Sequence, residues 1–170
     1  MRTPREIVAA LVVAHGLVGC AAGGETAREP ATVDRVIDGD TLSLRGGPRV
    51  RLVQIDAPEA PEECYGRAAT RELVRRAPPG TEVALEPDPR LDREDRFGRL
   101  LRYVLVGSSN VNVELVRRGA AAPYFFHGAR GRYAARLLEA VAAARSGGRG
   151  MWGRCRVSWN PERQVRTWPR

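Results

Sequence analysis

Apolar and polar positions alternate in short runs over the first third of this chain and then give way to helical spacing. Residues 31–37, 41–44 and 49–55 read as three strands. Asp38-Gly39 between the first two is a strong hairpin signal, because both residue types favour the positive φ of a type I′ turn. Gly46-Gly47-Pro48 marks the next turn. Within the third run the alternation sets Arg51, Val53 and Ile55 on one face and Leu52, Gln54 and Asp56 on the other, until Pro58 breaks the pattern. Residues 67–77 carry Ala68, Leu73 and Val74 at helical spacing and stop at Pro78-Pro79-Gly80. Strands follow at 81–85 and 100–106, with a polar loop over 87–95 between them. Asn110 caps a helix that runs to Arg118 and ends at Gly119. A longer amphipathic helix over 130–145 presents Leu137, Leu138 and Val141, and Met151-Trp152 returns apolar area to the core. Residues 156–170 read as a loose basic tail.

These elements predict an α+β domain with five strands and about three helices. Three sequential strands, a helix and two more strands fit a five-stranded OB-fold barrel, whose helix often sits between strands three and four. Length agrees, since 170 residues suit one domain with a modest core. The predicted organisation is a targeting segment over 1–19, a flexible tether over 20–30, the barrel domain over 31–155 and the tail over 156–170.

The N-terminus pairs Arg2 and Arg5 with an apolar run over 7–18, which is short for a membrane span and suits a signal peptide. It ends in Leu17-Val18-Gly19-Cys20, a lipobox-like string that predicts cleavage before Cys20 and lipid on its sulfur. Ordinary signal cleavage, for instance after Ala22, is the alternative. Two cysteines then remain, Cys64 and Cys155, and export invites a disulfide between them, unpaired buried thiols being the other reading.

Net charge is +8, and every basic residue is arginine. Codon composition is a sufficient cause of the arginine bias, but the chemistry follows either way, because guanidinium groups grip phosphate bidentately. A basic domain is expected to meet a polyanion, nucleic acid above all. The acidic residues fall at telling places: Asp40 starts a strand, while Asp56 and Glu59 follow another that carries Arg51. If the two strand ends meet, the three carboxylates need a cation or arginines between them. Oxygen donors suit Ca²⁺, with Mg²⁺ or Mn²⁺ as further options, whereas zinc lacks a Cys/His cluster. His127 stands alone.

The strings IDGDT (37–41), RLVQIDAPE (51–59), CYG (64–66), DRFGR (95–99), VNVELVRRG (111–119) and RGMWG (149–153), in this order, resemble the staphylococcal nuclease (thermonuclease) family. The resemblance implies an OB-fold barrel and a Ca²⁺-dependent phosphodiesterase acting on DNA and RNA that leaves 3′-phosphate ends. It implies that Asp40, Asp56 and the backbone carbonyl of Ala57 hold Ca²⁺, that Glu59 is the general base, and that Arg51 and Arg99 bind phosphate. It further implies a Cys64–Cys155 disulfide; a monomer is expected. Arg96, Phe97 and Tyr124 are weaker candidates for substrate contact, with Phe125 an alternative to Tyr124. Threonine is often found at 57 in the family; its best-known member has tyrosine at 97 and lysine at 96, and the loop over 60–64 is shorter here than in that member and carries Glu62 and Glu63. The rival reading is a non-catalytic OB-type nucleic-acid-binding lipoprotein.

The targeting segment makes the first prediction. Cys20→Ala should move the protein from the membrane to the soluble fraction, and a wild type that is already soluble would count against the lipid anchor.

Overall fold

The computed structural model describes residues 28–170. The signal-peptide and Cys20 expectations lie outside these residues. Ten strands and four helices follow in chain order: β1 (Glu29–Val36), β2 (Thr41–Leu44), β3 (Arg49–Leu52), β4 (Ile55–Asp56), α1 (Gly66–Arg76), β5 (Glu82–Glu86), β6 (Leu100–Val106), β7 (Ser109–Asn110), α2 (Val111–Arg117), β8 (Ala122–Pro123), α3 (Ala134–Ser146), α4 (Met151–Arg154), β9 (Cys155–Ser158) and β10 (Arg166–Pro169). No helix among the described residues is long and apolar enough to cross a membrane.

The principal sheet runs β3-β2-β1-β5-β6-β7, and a further parallel pairing of β3 with β6 closes five of these strands into a barrel. Closure leaves no open edge among the five. Strand β1 makes this possible by serving two partners. Its first half pairs with β5 and its second half with β2, and a register irregularity between Val33 and Arg35 marks the bend. The alternating inward residues Val33, Leu42, Leu44, Val50, Leu52, Val83 and Leu85 fill the interior, joined by Leu73 from α1, Val113 and Leu115 from α2 and Leu137 and Val141 from α3. Asn110 caps α2 as its sequence predicts, its side chain accepting the Val113 N–H at 3.1 Å.

Four features differ from the sequence reading. The third run is not one continuous strand. It breaks after Leu52, and Gln54 takes a left-handed φ of 66° before the chain resumes as β4. The break is held from outside. The Val53 N–H donates to the Arg102 carbonyl at 2.9 Å, and the buried Asn112 donates to the Val53 carbonyl at 2.9 Å. Side chains on the two sides of it are therefore not related by simple alternation, and Arg51 comes to face Asp56.

The turn at 38–40 is also of another kind. Neither Asp38 nor Gly39 has positive φ. Asp38 Oδ1 instead accepts the Asp40 N–H at 3.0 Å, an Asx-turn. Gly39 is needed for space, since a Cβ there would lie 2.6 Å from the Ala57 Cβ and 2.9 Å from the Ala69 Cβ. Helix α3 begins only at Ala134, because residues 129–133 form the loop that approaches Gln54 and Asp88.

The fourth difference is the C-terminus, which is not loose. Strands β9 and β10 form an antiparallel hairpin whose Val165 and Thr167 are buried. Val165 packs with Ala122, Met151 and Cys155, and Trp159 Nε1 donates to the Pro123 carbonyl at 2.8 Å. Cys64 and Cys155 form a disulfide that ties the start of this hairpin to the loop ahead of α1.

The disulfide spans 91 residues, and constraint of the unfolded chain by a loop of that length is worth about 3–5 kcal/mol in the chain-entropy description. Reductant should lower the urea-unfolding free energy by that order, and a transition that does not shift on reduction would rule out the contribution.

Candidate active site

The hairpin turn after β1, the break after β3 and the short β4 bring Asp40, Arg51 and Asp56 to one point at the barrel rim. Arg51 sits between the two carboxylates. Its Nη1 lies 3.1 Å from Asp40 Oδ2 and its Nη2 lies 2.9 Å from Asp56 Oδ1. The two carboxylates are buried, with Asp40 5 % and Asp56 3 % exposed, and the Arg51 side chain between them is 12 % exposed. Arg51 Nη1 also donates to the carbonyls of Ile55 at 2.8 Å and Leu52 at 3.3 Å, the second being at the break itself. The Arg51 Nε–H and one Nη2 proton are left without a partner among the described residues.

Each carboxylate is further pinned by a main-chain amide. The Ala57 N–H donates to Asp40 Oδ2 at 2.8 Å, and the Val165 N–H donates to Asp56 Oδ2 at 2.8 Å. The Thr41 hydroxyl donates to Asp40 Oδ1 at 3.1 Å, and Gln164 Nε2 approaches Asp56 Oδ1 at 3.5 Å. A carboxylate has about four acceptor positions. Asp40 Oδ1 and Asp56 Oδ2 each accept a single hydrogen bond, so each keeps a position for another ligand.

The electrostatic balance is acidic. Burial raises the Asp40 pKa, the Arg51 charge opposes this, and Asp38 and Asp56 add to the rise. Asp56 is raised for the same leading reason, against Arg51 and the Val165 N–H. Burial works against the Arg51 charge, but Asp40, Asp56, Asp38 and Glu59 outweigh it and hold the guanidinium firmly protonated. One arginine thus faces several carboxylates, and the surplus negative charge favours a bound cation.

Among the described residues no group of three or more His, Cys, Asp or Glu side chains forms a metal cage. The available donors are one oxygen from each of two carboxylates, with backbone carbonyl and water left to complete the shell. That all-oxygen set, open and low in protein ligands, fits a hard divalent ion rather than zinc.

A cleft of about 860 Å³ opens over this point, and Asp40, Arg51, Glu59, Arg96, Phe97, Arg99 and Tyr124 all line it. Asp56 lies just beneath, against Arg51, and Ala57 is buried beside it. The Glu59 side chain makes no hydrogen bond or ion pair among the described residues. Its pKa is raised by burial first and then by Asp38 and Asp56. Its backbone is fixed, since the Glu59 N–H donates to Glu63 Oε2 at 2.9 Å and the Glu63 N–H to the Glu59 carbonyl at 2.9 Å. Gly66 permits this turn, because a Cβ there would fall 2.4 Å from the Glu59 carbonyl oxygen.

Arg99 is oriented by Asp95, which accepts its Nε–H at 2.6 Å and the Phe97 and Arg99 amides at 2.9 and 3.1 Å. Burial disfavours the Asp95 charge, but these donors outweigh it and hold the carboxyl below the usual carboxylate range. Phe97 is 68 % exposed and has the Arg96 guanidinium 4.7 Å from its ring centre. Of the two aromatic alternatives, Phe125 is 1 % exposed and belongs to the core, while Tyr124 faces the cleft together with Phe126.

Three functional-site residues escape the sequence reading. Gln54 holds the aromatic loop, its Nε2 donating to the Ala129 carbonyl at 2.8 Å and its Oε1 accepting the Gly131 N–H at 2.7 Å. Gln164 and Val165 reach Asp56 from the C-terminal hairpin. The only signal for those two is the alternation of Val165, Arg166, Thr167 and Trp168, which reads as a strand once its partner over 155–158 is recognised.

The family model described as "Staphylococcal nuclease homologue" matches residues 49–154. Asp40 lies before that span and Gln164 and Val165 lie after it. The chain is 35 % identical over 136 residues to Endonuclease YhcR of Bacillus subtilis (strain 168), covering 71 % of this chain and 11 % of that protein. It is 37 % identical over 106 residues to a thermonuclease of Staphylococcus intermedius, covering 58 % and 61 % of the two. A thermonuclease of Staphylococcus hyicus is 31 % identical over 128 residues, covering 71 % and 73 %. The chain therefore spans less than two thirds of the first two relatives and more than two thirds of the third. With more than half of its residues inside the family match and a closed five-stranded barrel to carry them, the chain belongs to the staphylococcal nuclease family.

Proposed function

We propose that this protein is an exported, Ca²⁺-dependent phosphodiesterase that hydrolyses DNA and RNA and leaves 3′-phosphate ends. The observation that carries the reading is the single cleft in which Asp40, Arg51, Glu59 and Arg99 meet. Two nuclease relatives from staphylococci support the substrate class, as does the positive charge of the chain.

Asp40 and Asp56 would hold the ion, each through its remaining acceptor position, with the Ala57 carbonyl as a further donor. Bound Ca²⁺ supplies positive charge to the phosphate and to the attacking water. Glu59 stands at the cleft with a free carboxylate and a raised affinity for protons, which suits it to take the proton of that water. The water oxygen bonds to phosphorus as the P–O5′ bond breaks and the departing O5′ takes up a proton from solvent, giving a 3′-phosphate on one fragment and a 5′-hydroxyl on the other.

The Arg51 Nε–H and its remaining Nη2 proton point to one phosphate oxygen set, and the unengaged Nη groups of Arg99 to another, where charge grows on the five-coordinate phosphorus. Phe97, Tyr124 and Phe126 offer ring faces for unpaired bases, and Arg96 adds charge beside them. A purely binding module would have no use for a partnerless carboxylate next to an acidic centre, which is what Glu59 is. The disulfide suits an oxidising compartment and so supports export.

Purified protein with Ca²⁺ should degrade single-stranded DNA and RNA, stop on addition of chelator, and yield 3′-phosphate ends in end-group analysis. Absence of cleavage with any divalent ion would sink the enzyme reading. Glu59→Gln should lower kcat by about 10²–10⁴-fold, the usual worth of a general base, with unchanged thermal unfolding. A rate near wild type would remove Glu59 from that role. Arg51→Lys should lower kcat/KM by about 10²–10³-fold, the cost of losing one fixed donor to developing charge, because an ammonium group cannot fork between two carboxylates and a phosphate.

A further inference from the structure

The hairpin formed by β9 and β10 lies wholly beyond the residues that match the family, yet it bonds directly to a predicted cation ligand. We propose that this hairpin is a built part of the cation site, with the Val165 amide as a positioning group that fixes the Asp56 carboxylate for Ca²⁺. The inference rests on the Ca²⁺ reading above and deepens it.

Four observations carry it. First, the Val165 N–H donates to Asp56 Oδ2 at 2.8 Å, and Val165 is itself buried. Second, Val165 lies just before β10, so this amide is not engaged in the β9–β10 ladder. Its hydrogen bond goes to a carboxylate 109 residues away in sequence.

Third, the bond has a counterpart on the other ligand, the Ala57 N–H on Asp40 Oδ2 at the same 2.8 Å. Main-chain donors move only if the backbone moves. Together with Arg51 between them, the two amides fix both carboxylates and leave each with one acceptor position. Fourth, the hairpin is anchored on the loop that follows Asp56 and carries Glu59. The Thr167 hydroxyl donates to the Cys64 carbonyl, the Cys64 N–H donates back to the Thr167 carbonyl at 3.4 Å, and Arg166 lies 3.5 Å from the Glu63 carboxylate that caps Glu59. The Cys64–Cys155 bond closes the frame.

A partner that holds a metal ligand in orientation typically changes metal affinity about 10–100-fold when lost. The test uses full-length protein and Ca²⁺ alone as the calorimetric probe, with kinetics in parallel. Val165→Pro removes the N–H without taking a ladder bond and should weaken Ca²⁺ binding by about 10–100-fold, with kcat recovering at saturating Ca²⁺ and the KM for oligonucleotide little changed. Val165→Ile keeps both the N–H and the apolar anchor and should bind Ca²⁺ as the wild type does.

Thr167→Val loosens the hairpin from Cys64 and should weaken Ca²⁺ binding in the same direction by a smaller factor, so it decides the matter if the proline variant does not fold. Wild-type Ca²⁺ affinity in folded Val165→Pro, or in Thr167→Val when the proline variant is unfolded, overturns the proposal while leaving the enzyme reading intact. A wild type that binds no Ca²⁺ overturns both.

Discussion

One guanidinium holds the centre of this molecule together. Arg51 is taken out of water between Asp40 and Asp56, and neither carboxylate could be buried at the barrel rim without it. Removing one partner from a buried ion pair typically costs about 3–5 kcal/mol, because the remaining charge is stranded. Here a single cation serves two anions, with Asp38 and Glu59 close enough to act on the same charge. The centre stays short of positive charge even when every side-chain contact is made. That shortfall connects architecture to chemistry, since the cation site proposed above depends on a centre whose carboxylates outnumber its one buried guanidinium.

The barrel supplies the rigidity this arrangement needs. Asp40 and Arg51 stand at neighbouring ends of β2 and β3, which are paired in register at Thr41 and Arg51. Asp56 arrives by a less regular route, through the break at Val53 and Gln54. The break is fixed by the buried Asn112, whose carboxamide bonds both to the Val53 carbonyl and to the Val104 N–H. A polar residue in the first turn of a helix thereby helps set where the chain carries Asp56. Its three hydrogen-bonding groups are well used, which is how a fully buried amide is tolerated.

Much of this was legible in the amino-acid sequence, and what was not has a physical explanation. Strands 41–44 and 100–106 and the Asn110 cap depend on local preferences, and they occur where the pattern places them. The assembly of Asp40, Glu59, Arg51 and Arg99 at one cleft was readable because ordered motifs carry it. The opposition of Arg51 to Asp56 was not. Alternation assigns them to opposite faces, and only the left-handed Gln54, imposed by distant partners, reverses that assignment. The hairpin over 155–170 is not legible locally, because its two strands are only four residues each and the polar stretch over 160–164 between them gives the segment the look of a basic tail. Conformational freedom is what the sequence suggests for Gly39, whereas the structure requires it for space, the Ala57 and Ala69 methyl groups leaving no room for a side chain.

The bond from Val165 to Asp56 joins residues 109 apart in the sequence. Contacts so distant in sequence are slow to form, because the loop between them must close first. A nascent chain that has reached Arg154 already contains the barrel strands, the three main helices and every acidic residue of the centre. It still lacks the amide that locks the last of those carboxylates. The order of synthesis therefore places completion of the centre after completion of the barrel, since the amide that finishes it lies beyond the last barrel strand and the last helix.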